Sequence, residues 1–339
     1  MIEFFVILFF IILNYYFFSN FYKISLFLNI FDKPSKRKIH KSKVASNGGV
    51  FFLINFLLIL IAGYLFKIKL FYFNFDSTLQ YLVFILTFIL FFILGFLDDK
   101  NNLSYKTKFI FTILFLFFLI KIDNNLTIDH LKFSFLEKPL LLGNFAIPFT
   151  ILCILLFINS CNMIDGLNLL SVSYFFFIIF FFIFLKCISV FFLLLFFYYV
   201  FFIYLNYKSK IFLGDNGTLS ISFVLSYFFI KSYNSNLITN VDIIFIIMSV
   251  PGLDMFRLFL ERVFNKKNPF KADSNHLHHL LLFKFQNKNI ASLLMFFTLI
   301  FPYFLTFTKL SNFLVILIIL LIYFTILVFL KTNKRKKNG

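Results

Sequence analysis

Cysteine is scarce in this sequence, and tryptophan is absent. The three cysteines, Cys153, Cys161 and Cys187, lie in or beside apolar segments and form no Cys-x-x-Cys pair. An odd number of cysteines without paired spacing argues against both a disulfide framework and a zinc ribbon.

Acidic residues are also few, with 14 Asp and Glu against 32 Lys and Arg, a net charge of +18. Such a charge suits nucleic acid, but 61% of the residues are hydrophobic and the mean hydropathy is +0.96. An ordinary soluble domain is only about 45–50% apolar. The composition therefore predicts a membrane protein without a nucleic-acid partner.

Apolar runs of about 20 residues recur along the chain, and each is long enough to cross a bilayer. They predict an all-α integral membrane protein with about eleven transmembrane helices. No basic segment or small-residue cleavage site precedes the first run, which we therefore interpret as a retained helix. Alternating residues at 131–135 and a second segment at 141–145 predict a small hairpin on the outer side. The predicted spans are about 3–22, 50–66, 79–97, 108–122, 147–164, 167–185, 188–206, 217–233, 241–259, 290–307 and 312–330.

Most lysines and arginines lie in alternate loops and in the C-terminal tail. The positive-inside rule places these loops and the C-terminus in the cytoplasm and the N-terminus outside. Every unusual polar cluster falls on the same side. The sequence therefore predicts one polytopic domain over residues 1–339, with cytoplasmic active-site loops at about 31–49, 98–108, 159–168, 207–217 and 260–289.

A polar stretch at 159–168 interrupts two apolar runs. Helical spacing places Asn159, Asn162 and Asp165 on one face. Polar groups at membrane depth are costly and usually face a cavity or a partner. The alternative is a helix cap followed by a turn at the membrane edge.

Two further clusters contain carboxylates. Asp98 and Asp99 end the third span, and their mutual repulsion suits metal binding or proton abstraction. Asp215 lies between Gly214 and Gly217, which leaves room for a metal and its phosphate ligands, since Mg²⁺ usually takes one or two protein carboxylates. A solvated helix terminus and a plain turn are the respective alternatives.

Three of the five histidines, His276, His278 and His279, lie within four residues. A zinc site is the obvious rival, but His-x-His-His lacks the helical i, i+4 pair of a zincin, and no thiol is near. Imidazoles beside arginine and lysine suit a multiply charged anion such as a diphosphate.

In the first loop, the basic residues of 36–38 with Gly48 and Gly49 suit a phosphate or simply a positive-inside anchor.

Together these motifs resemble those of the polyprenyl-phosphate N-acetylhexosamine-1-phosphate transferases, which belong to glycosyltransferase family 4. The His-x-His-His form is more similar to the UDP-GlcNAc branch than to the peptidoglycan translocase branch. Asn168 stands where many members have a second aspartate. The matching motifs, in order, are 34–40 with Gly48-Gly49, Asp98-Asp99, Asn159 to Gly166, Gly214 to Gly217, and Asp254 through His279.

The resemblance implies a reaction in which a UDP-HexNAc, UDP-GlcNAc or a derivative, gives its sugar-1-phosphate to polyprenyl (undecaprenyl) phosphate and releases UMP. It implies the start of a lipid-linked cell-surface glycan such as the O-antigen of lipopolysaccharide or a cell-wall polymer. It also implies a multi-pass protein of the bacterial inner (plasma) membrane with its active site on the cytoplasmic face, and it allows a homodimer. The alternatives from other classes are a transporter or flippase of an anionic lipid-linked sugar and a zinc membrane hydrolase.

The resemblance further implies Mg²⁺, with Mn²⁺ as the alternative, and assigns a role to each motif residue. The metal ligand is Asp215. The catalytic residues are Asp98 or Asp99, as the base for the lipid phosphate or as an aid to the metal, and Asp165, in the nucleotide and sugar pocket. The substrate-binding residues are Lys108, Asn159, Asn162, Arg262, His276, His278 and His279.

Overall fold

A computed structural model describes residues 2–34, 42–268 and 275–338. The basic segment 35–41 and Asp273, which belong to the motifs above, lie outside the described residues. The described chain is predominantly helical. Its α-helices are α1 (Ile2–Ser19), α2 (Phe21–Leu28), α3 (Gly48–Leu65), α4 (Thr78–Asn101), α5 (Tyr105–Ile122), α6 (Ala146–Ile164), α7 (Leu170–Phe184), α8 (Leu195–Tyr207), α9 (Gly214–Asn234), α10 (Val241–Phe264), α11 (Leu277–Phe285), α12 (Lys288–Leu305) and α13 (Asn312–Asn338).

Short elements connect the helices. Strands β1 (Phe31–Asp32) and β2 (Val44–Ala45) form one antiparallel pair. Strands β3 (His130–Leu131) and β4 (Leu140–Leu141) form another, which confirms the predicted hairpin in a shorter form. Among the described residues, 3₁₀ turns occur at Asn124–Leu126, Gly143–Phe145 and Val190–Leu194.

Within the described residues, seven helices are long and apolar enough to cross a membrane, or eight if α1 and α2, bent by 65°, form one span. This confirms an all-α chain with many membrane-capable helices. The other predicted spans correspond to α5, which carries three lysines, to α7, which has 15 residues, and to the more polar α9. Eleven crossings and their orientation stay predictions.

The chain divides into two compact units. The first unit comprises Met1–Thr127 and Phe175–Leu237, and the second comprises Ile128–Tyr174 and Ile238–Gly339. Helix α7 contributes residues to both. Each unit contains its own share of the predicted site residues.

Helix α9 forms the core of the first unit and is buried from Asn216 to Tyr233. It packs on α4 through aromatic rings, with Phe84 and Tyr227 centroids 4.4 Å apart and Phe91 stacked on Phe223 at 4.7 Å. Ser220 and Ser226 donate hydrogen bonds to carbonyls of their own helix. The polar residues of α9 therefore lower the mean hydropathy of the helix, even though the helix is buried within the protein.

A buried ion pair ties the C-terminal part of α9 to the end of α5. Lys231 Nζ donates to Asp123 Oδ1 at 2.8 Å, and Tyr227 Oη donates to Asp123 Oδ2 at 2.6 Å. Both charged side chains are at most 1% exposed. Each therefore depends on the other for compensation of its charge.

Replacement of Lys231 with methionine is expected to destabilise the protein by about 3–5 kcal/mol, because it leaves the Asp123 carboxylate buried without a countercharge. Thermal unfolding in detergent measures the effect. The control is Lys121→Met, which removes an exposed lysine of α5. An unfolding midpoint equal to that of the control would contradict the prediction, and adding Asp123→Asn should restore part of the loss.

The second unit is built around α10, which contains Pro251. Proline has no N–H to donate, so the carbonyl of Ile247 four residues earlier is free of its helical bond and accepts from Tyr174 Oη at 2.9 Å. Helix α13 packs on α10 through a cluster of Ile246, Val315 and Ile319. These contacts fix α13 beside the helix that carries the Asp254 motif.

Candidate active site

The first unit brings together four of the predicted residues: Asp98, Asp99, Lys108 and Asp215. Lys108 Nζ lies 2.6 Å from Asp98 Oδ2 and 3.6 Å from Asp215 Oδ2. Ser104 caps α5 by accepting from Thr107 N, so Lys108 lies in the first turn, where it can reach α4. The cluster thus contains three carboxyl groups and one ammonium group.

Asp99 caps α9 from a neighbouring helix. Its Oδ1 accepts from Asp215 N and its Oδ2 from Asn216 N, each at 2.9 Å. The first N–H groups of a helix have no partner within the helix, so this carboxylate satisfies two of them. Asp99 therefore fixes the position of Asp215, and its role as a base stays a prediction.

Glycines allow the helices of this cluster to approach closely. A Cβ at Gly95 would lie 2.2 Å from the Asp215 carbonyl oxygen, and one at Gly49 would lie 2.2 Å from Gly217 N. Gly49 N also donates to Leu213 O at 3.0 Å. The glycines of the first loop are expected to allow a close backbone approach. In the structure, they approach the start of α9.

The second unit holds the histidine motif at the start of α11. The His276 and His278 rings stack at 5.6 Å with 10° between their planes, and the His278 and His279 centroids are 4.3 Å apart. Asp254 Oδ2 lies 3.3 Å from His276 Nδ1 and accepts from Leu277 N at 3.1 Å. The three predicted histidines thus form one cluster that an aspartate of α10 holds.

His278 is 1% exposed, and both of its ring nitrogens lack a hydrogen-bond partner among the described residues. Burial lowers the pKa of His278 well below its usual range, and His279 and His276 lower it further. The ring is therefore neutral at physiological pH. Unpaired buried nitrogens are costly, and a polar ligand would satisfy them.

The stretch at 159–168 also lies in the second unit. Asn159 is exposed, and its Nδ2 donates to Leu155 O at 2.7 Å, while Asn162 lies one turn later in α6. Asp165 follows the last residue of α6 and accepts from Ser171 Oγ. The stretch thus has the helix end and turn that the alternative interpretation predicts. It also contacts the histidine cluster, through Gly166.

Gly166 lies directly against His278, since a Cβ at that position would be 2.2 Å from His278 Nε2. Replacement of Gly166 with alanine is therefore expected to displace the imidazole and to raise about tenfold the KM of any substrate that binds at this ring, the effect of roughly one lost hydrogen bond. Steady-state kinetics of the purified variant measure this change. An unchanged KM would show that the position of His278 does not matter for binding.

Arg262, the remaining predicted residue, lies half-buried in the last turn of α10. The structure places three more residues beside the histidines: Asp254 and Arg257, which the sequence analysis included in a motif without a role, and Tyr323, which it did not select. Asp254 and Arg257 are one helical turn apart, which is a signal for an ion pair. Tyr323 has no such signal, because it lies within an apolar run of α13.

No group of three His, Cys, Asp or Glu side chains among the described residues has an arrangement that would hold a metal ion by itself. The carboxyl oxygens of Asp98 and Asp215 nevertheless lie together beside Lys108. Oxygen donors of this kind suit a hard divalent cation that takes further ligands from phosphates. The chemistry of the donor set is therefore compatible with Mg²⁺.

Comparison with known proteins agrees with this geometry. Residues 81–233 match the model of "Glycosyl transferase family 4". The matched region contains the Asp98, Asp99, Lys108 and Asp215 cluster of the first unit. It also contains the polar stretch at 159–168.

Curated relatives extend the similarity over most of the chain. A probable undecaprenyl-phosphate N-acetylglucosaminyl 1-phosphate transferase of Bacillus subtilis (strain 168) is 26% identical over 269 residues, 77% of this chain and 72% of the relative. Undecaprenyl-phosphate alpha-N-acetylglucosaminyl 1-phosphate transferases of Salmonella typhi and Escherichia coli (strain K12) are 24% and 23% identical over 275 residues, 77% of this chain and 71% of each relative. The ordered motifs, the carboxylate cluster and these similarities lead to one conclusion: the chain is similar to the transferases of glycosyl transferase family 4, whose model its residues 81–233 match.

Proposed function

We propose that this protein transfers a HexNAc-1-phosphate from a UDP-HexNAc, such as UDP-GlcNAc or a derivative, to undecaprenyl phosphate and releases UMP. The product would be the first lipid-linked intermediate of a cell-surface glycan. The observation that carries the proposal is the cluster of Asp98, Lys108 and Asp215, in which the Lys108 ammonium lies 2.6 Å and 3.6 Å from oxygens of the two carboxyl groups. The transferase activity named for the relatives supports the same reaction class.

Phosphoryl transfer needs positioning and charge neutralisation more than covalent chemistry from the protein. Asp215 and Asp98 would hold Mg²⁺, which would neutralise charge on the donor diphosphate. Asp99 would keep Asp215 in place through the first turn of α9. Lys108, which lies between Asp98 and Asp215 in the structure, would bind a phosphate oxygen as a point charge.

Other residues would bind the donor. The neutral ring of His278 would donate to or accept from a polar group of the ligand, and His276, His279 and Arg262 would hold the diphosphate or the sugar. Asn159, Asn162 and Asp165 would contact the nucleotide and the sugar. As the alternative to assisting the metal, Asp98 would take the proton of the lipid phosphate, and Asp99 is the other candidate for this base.

We also propose that the chain crosses the bacterial inner membrane eleven times, with the N-terminus outside and the carboxylate and histidine clusters on the cytoplasmic face. The distribution of lysine and arginine supports this orientation. Cysteine-accessibility labelling tests it. A cysteine introduced at Ser104, in the loop before α5, should react only when the reagent reaches the cytoplasm.

The reaction itself is tested with protein purified in detergent, undecaprenyl phosphate, Mg²⁺ and a panel of UDP-HexNAc donors. We expect UMP release with one donor, inhibition by EDTA and recovery with excess Mg²⁺. A sample without undecaprenyl phosphate controls for simple hydrolysis of the donor. A folded, monodisperse protein that releases no UMP with any donor would contradict the proposal, and a transporter of lipid-linked sugar would give this result.

A further inference from the structure

A buried hydrogen-bonded group joins α10 to α13. Arg257 Nε donates to Tyr323 Oη at 3.1 Å, and Arg257 Nη2 donates to Asp254 Oδ1 at 2.8 Å. The Tyr323 hydroxyl in turn donates to Asp254 Oδ1 at 3.1 Å. All three residues are at most 8% exposed. Fully connected networks of this kind fix the conformations of their members.

The same group holds the chain on each side of His276. Arg257 Nη2 donates to the Asn275 carbonyl at 2.8 Å, immediately before the histidine. Asp254 Oδ2 accepts from Leu277 N at 3.1 Å, immediately after it. His276 provides no side-chain cap for α11, so Asp254 satisfies the first N–H of this helix from outside.

Each of the three guanidinium nitrogens of Arg257 donates to a group of the protein. Besides Asp254, Asn275 and Tyr323 it contacts Glu261, whose Oε1 lies 3.0 Å from Arg257 Nη1. Glu261 also pairs with Lys331 of α13. Two carboxylates are thus balanced by one guanidinium and one ammonium, which leaves no excess positive charge to attract a diphosphate.

We infer that Arg257 and Tyr323 are positioning residues that set the conformation of the histidine segment 275–279. They act through Asp254 and the Asn275 carbonyl rather than by contact with substrate. The last helix, α13, is therefore part of the donor-binding machinery through one hydroxyl group. The effect on catalysis rests on the proposed function, whereas the positioning itself does not.

Positioning is tested directly by diethylpyrocarbonate labelling, with mass spectrometry of the peptide that contains His276, His278 and His279. Tyr323→Phe removes only the hydroxyl, and we expect labelling of this peptide to become about fivefold faster, the factor for one lost hydrogen bond. The matched control is Thr325→Val, which removes an exposed hydroxyl that donates only to Ile322 O of its own helix. Equal labelling rates in the two variants would overturn the inference, and labelling of His130 monitors the fold elsewhere.

A second variant separates hydrogen-bond geometry from charge. Arg257→Lys retains the charge but replaces the planar fork with a single ammonium, which is unable to reach Asn275 O, Tyr323 Oη and Asp254 together. We expect its labelling rate to exceed that of Tyr323→Phe. A labelling rate as low as in the unsubstituted protein would show that the positive charge alone is sufficient. It would overturn the role of the planar guanidinium.

Enzyme kinetics then test whether Tyr323 affects activity through the position of the histidines. Tyr323→Phe should lower kcat/KM for the donor about tenfold in the native background, as expected for a lost hydrogen bond to a charged group. It should have no further effect in a His278→Ala background. Equal factors in both backgrounds would overturn the inference. Absence of UMP release from the native protein would instead contradict the proposed function, and labelling would still decide the positioning.

Discussion

Asp215→Asn is expected to abolish sugar-phosphate transfer, with a loss of at least about 1,000-fold in kcat, or about 4 kcal/mol of transition-state stabilisation. The substitution retains the size of the side chain but removes the charge that a divalent cation needs. The backbone N–H of residue 215 still donates to Asp99, so the start of α9 should keep its position. The loss should therefore come from chemistry rather than from folding.

The measurement is UMP release at increasing Mg²⁺, with the unfolding midpoint as a check on the fold. Asp76→Asn provides the matched control, since it makes the same chemical change at an exposed aspartate of the same unit. We expect the control to retain normal turnover. Normal turnover in Asp215→Asn would exclude this carboxylate as the metal ligand, and recovery at high Mg²⁺ would indicate that Asp98 holds the ion alone.

Gly95→Ala is expected to reduce kcat/KM by about 100-fold, because a misplacement of about 1 Å at a catalytic group has effects of this size. The added methyl would lie 2.2 Å from the Asp215 carbonyl oxygen, so α4 and α9 must separate. That separation would lengthen the hydrogen bonds from Asp215 N and Asn216 N to Asp99. The variant would keep every predicted catalytic side chain and still lose activity.

A second glycine supplies the control for this experiment. Gly252 is a helical glycine of α10, and a Cβ there would meet no atom within 4 Å. Gly252→Ala should therefore keep its activity and gain up to about 1 kcal/mol of stability from the better helix propensity of alanine. If Gly95→Ala behaves in the same way, the close contact of α4 with α9 does not position Asp215.

The helical character and most of the predicted helices could be derived from the sequence, because runs of apolar residues allow few other structures. The carboxylate cluster was also predictable as a set, since Asp98, Asp99 and Asp215 are ionisable residues at the ends of apolar runs. Which of these aspartates binds backbone N–H groups was not predictable. Only the fold shows that Asp99 gives both of its oxygens to backbone N–H groups of α9.

Some features of the structure could not be predicted from hydropathy, and α9 is an example. The hydropathy of α9 is lowered by its serines, two of which, Ser220 and Ser226, donate to carbonyls within the helix, a pairing that a hydropathy average does not register. Likewise, Tyr323 occurs within an apolar run, and nothing in its neighbours indicates a contact with Arg257, 66 residues earlier. Contacts between distant segments depend on helix packing, which periodicity alone does not specify.

The burial of α9 has a consequence for how the protein is made. This helix is polar by the standard of the other candidate spans, so its transfer alone into lipid would be less favourable than theirs. Helices α3 and α4, against which it packs, are synthesised before it. We therefore expect α9 to enter the bilayer against these earlier helices rather than through lipid alone, so that the carboxylate cluster is assembled as the helix inserts.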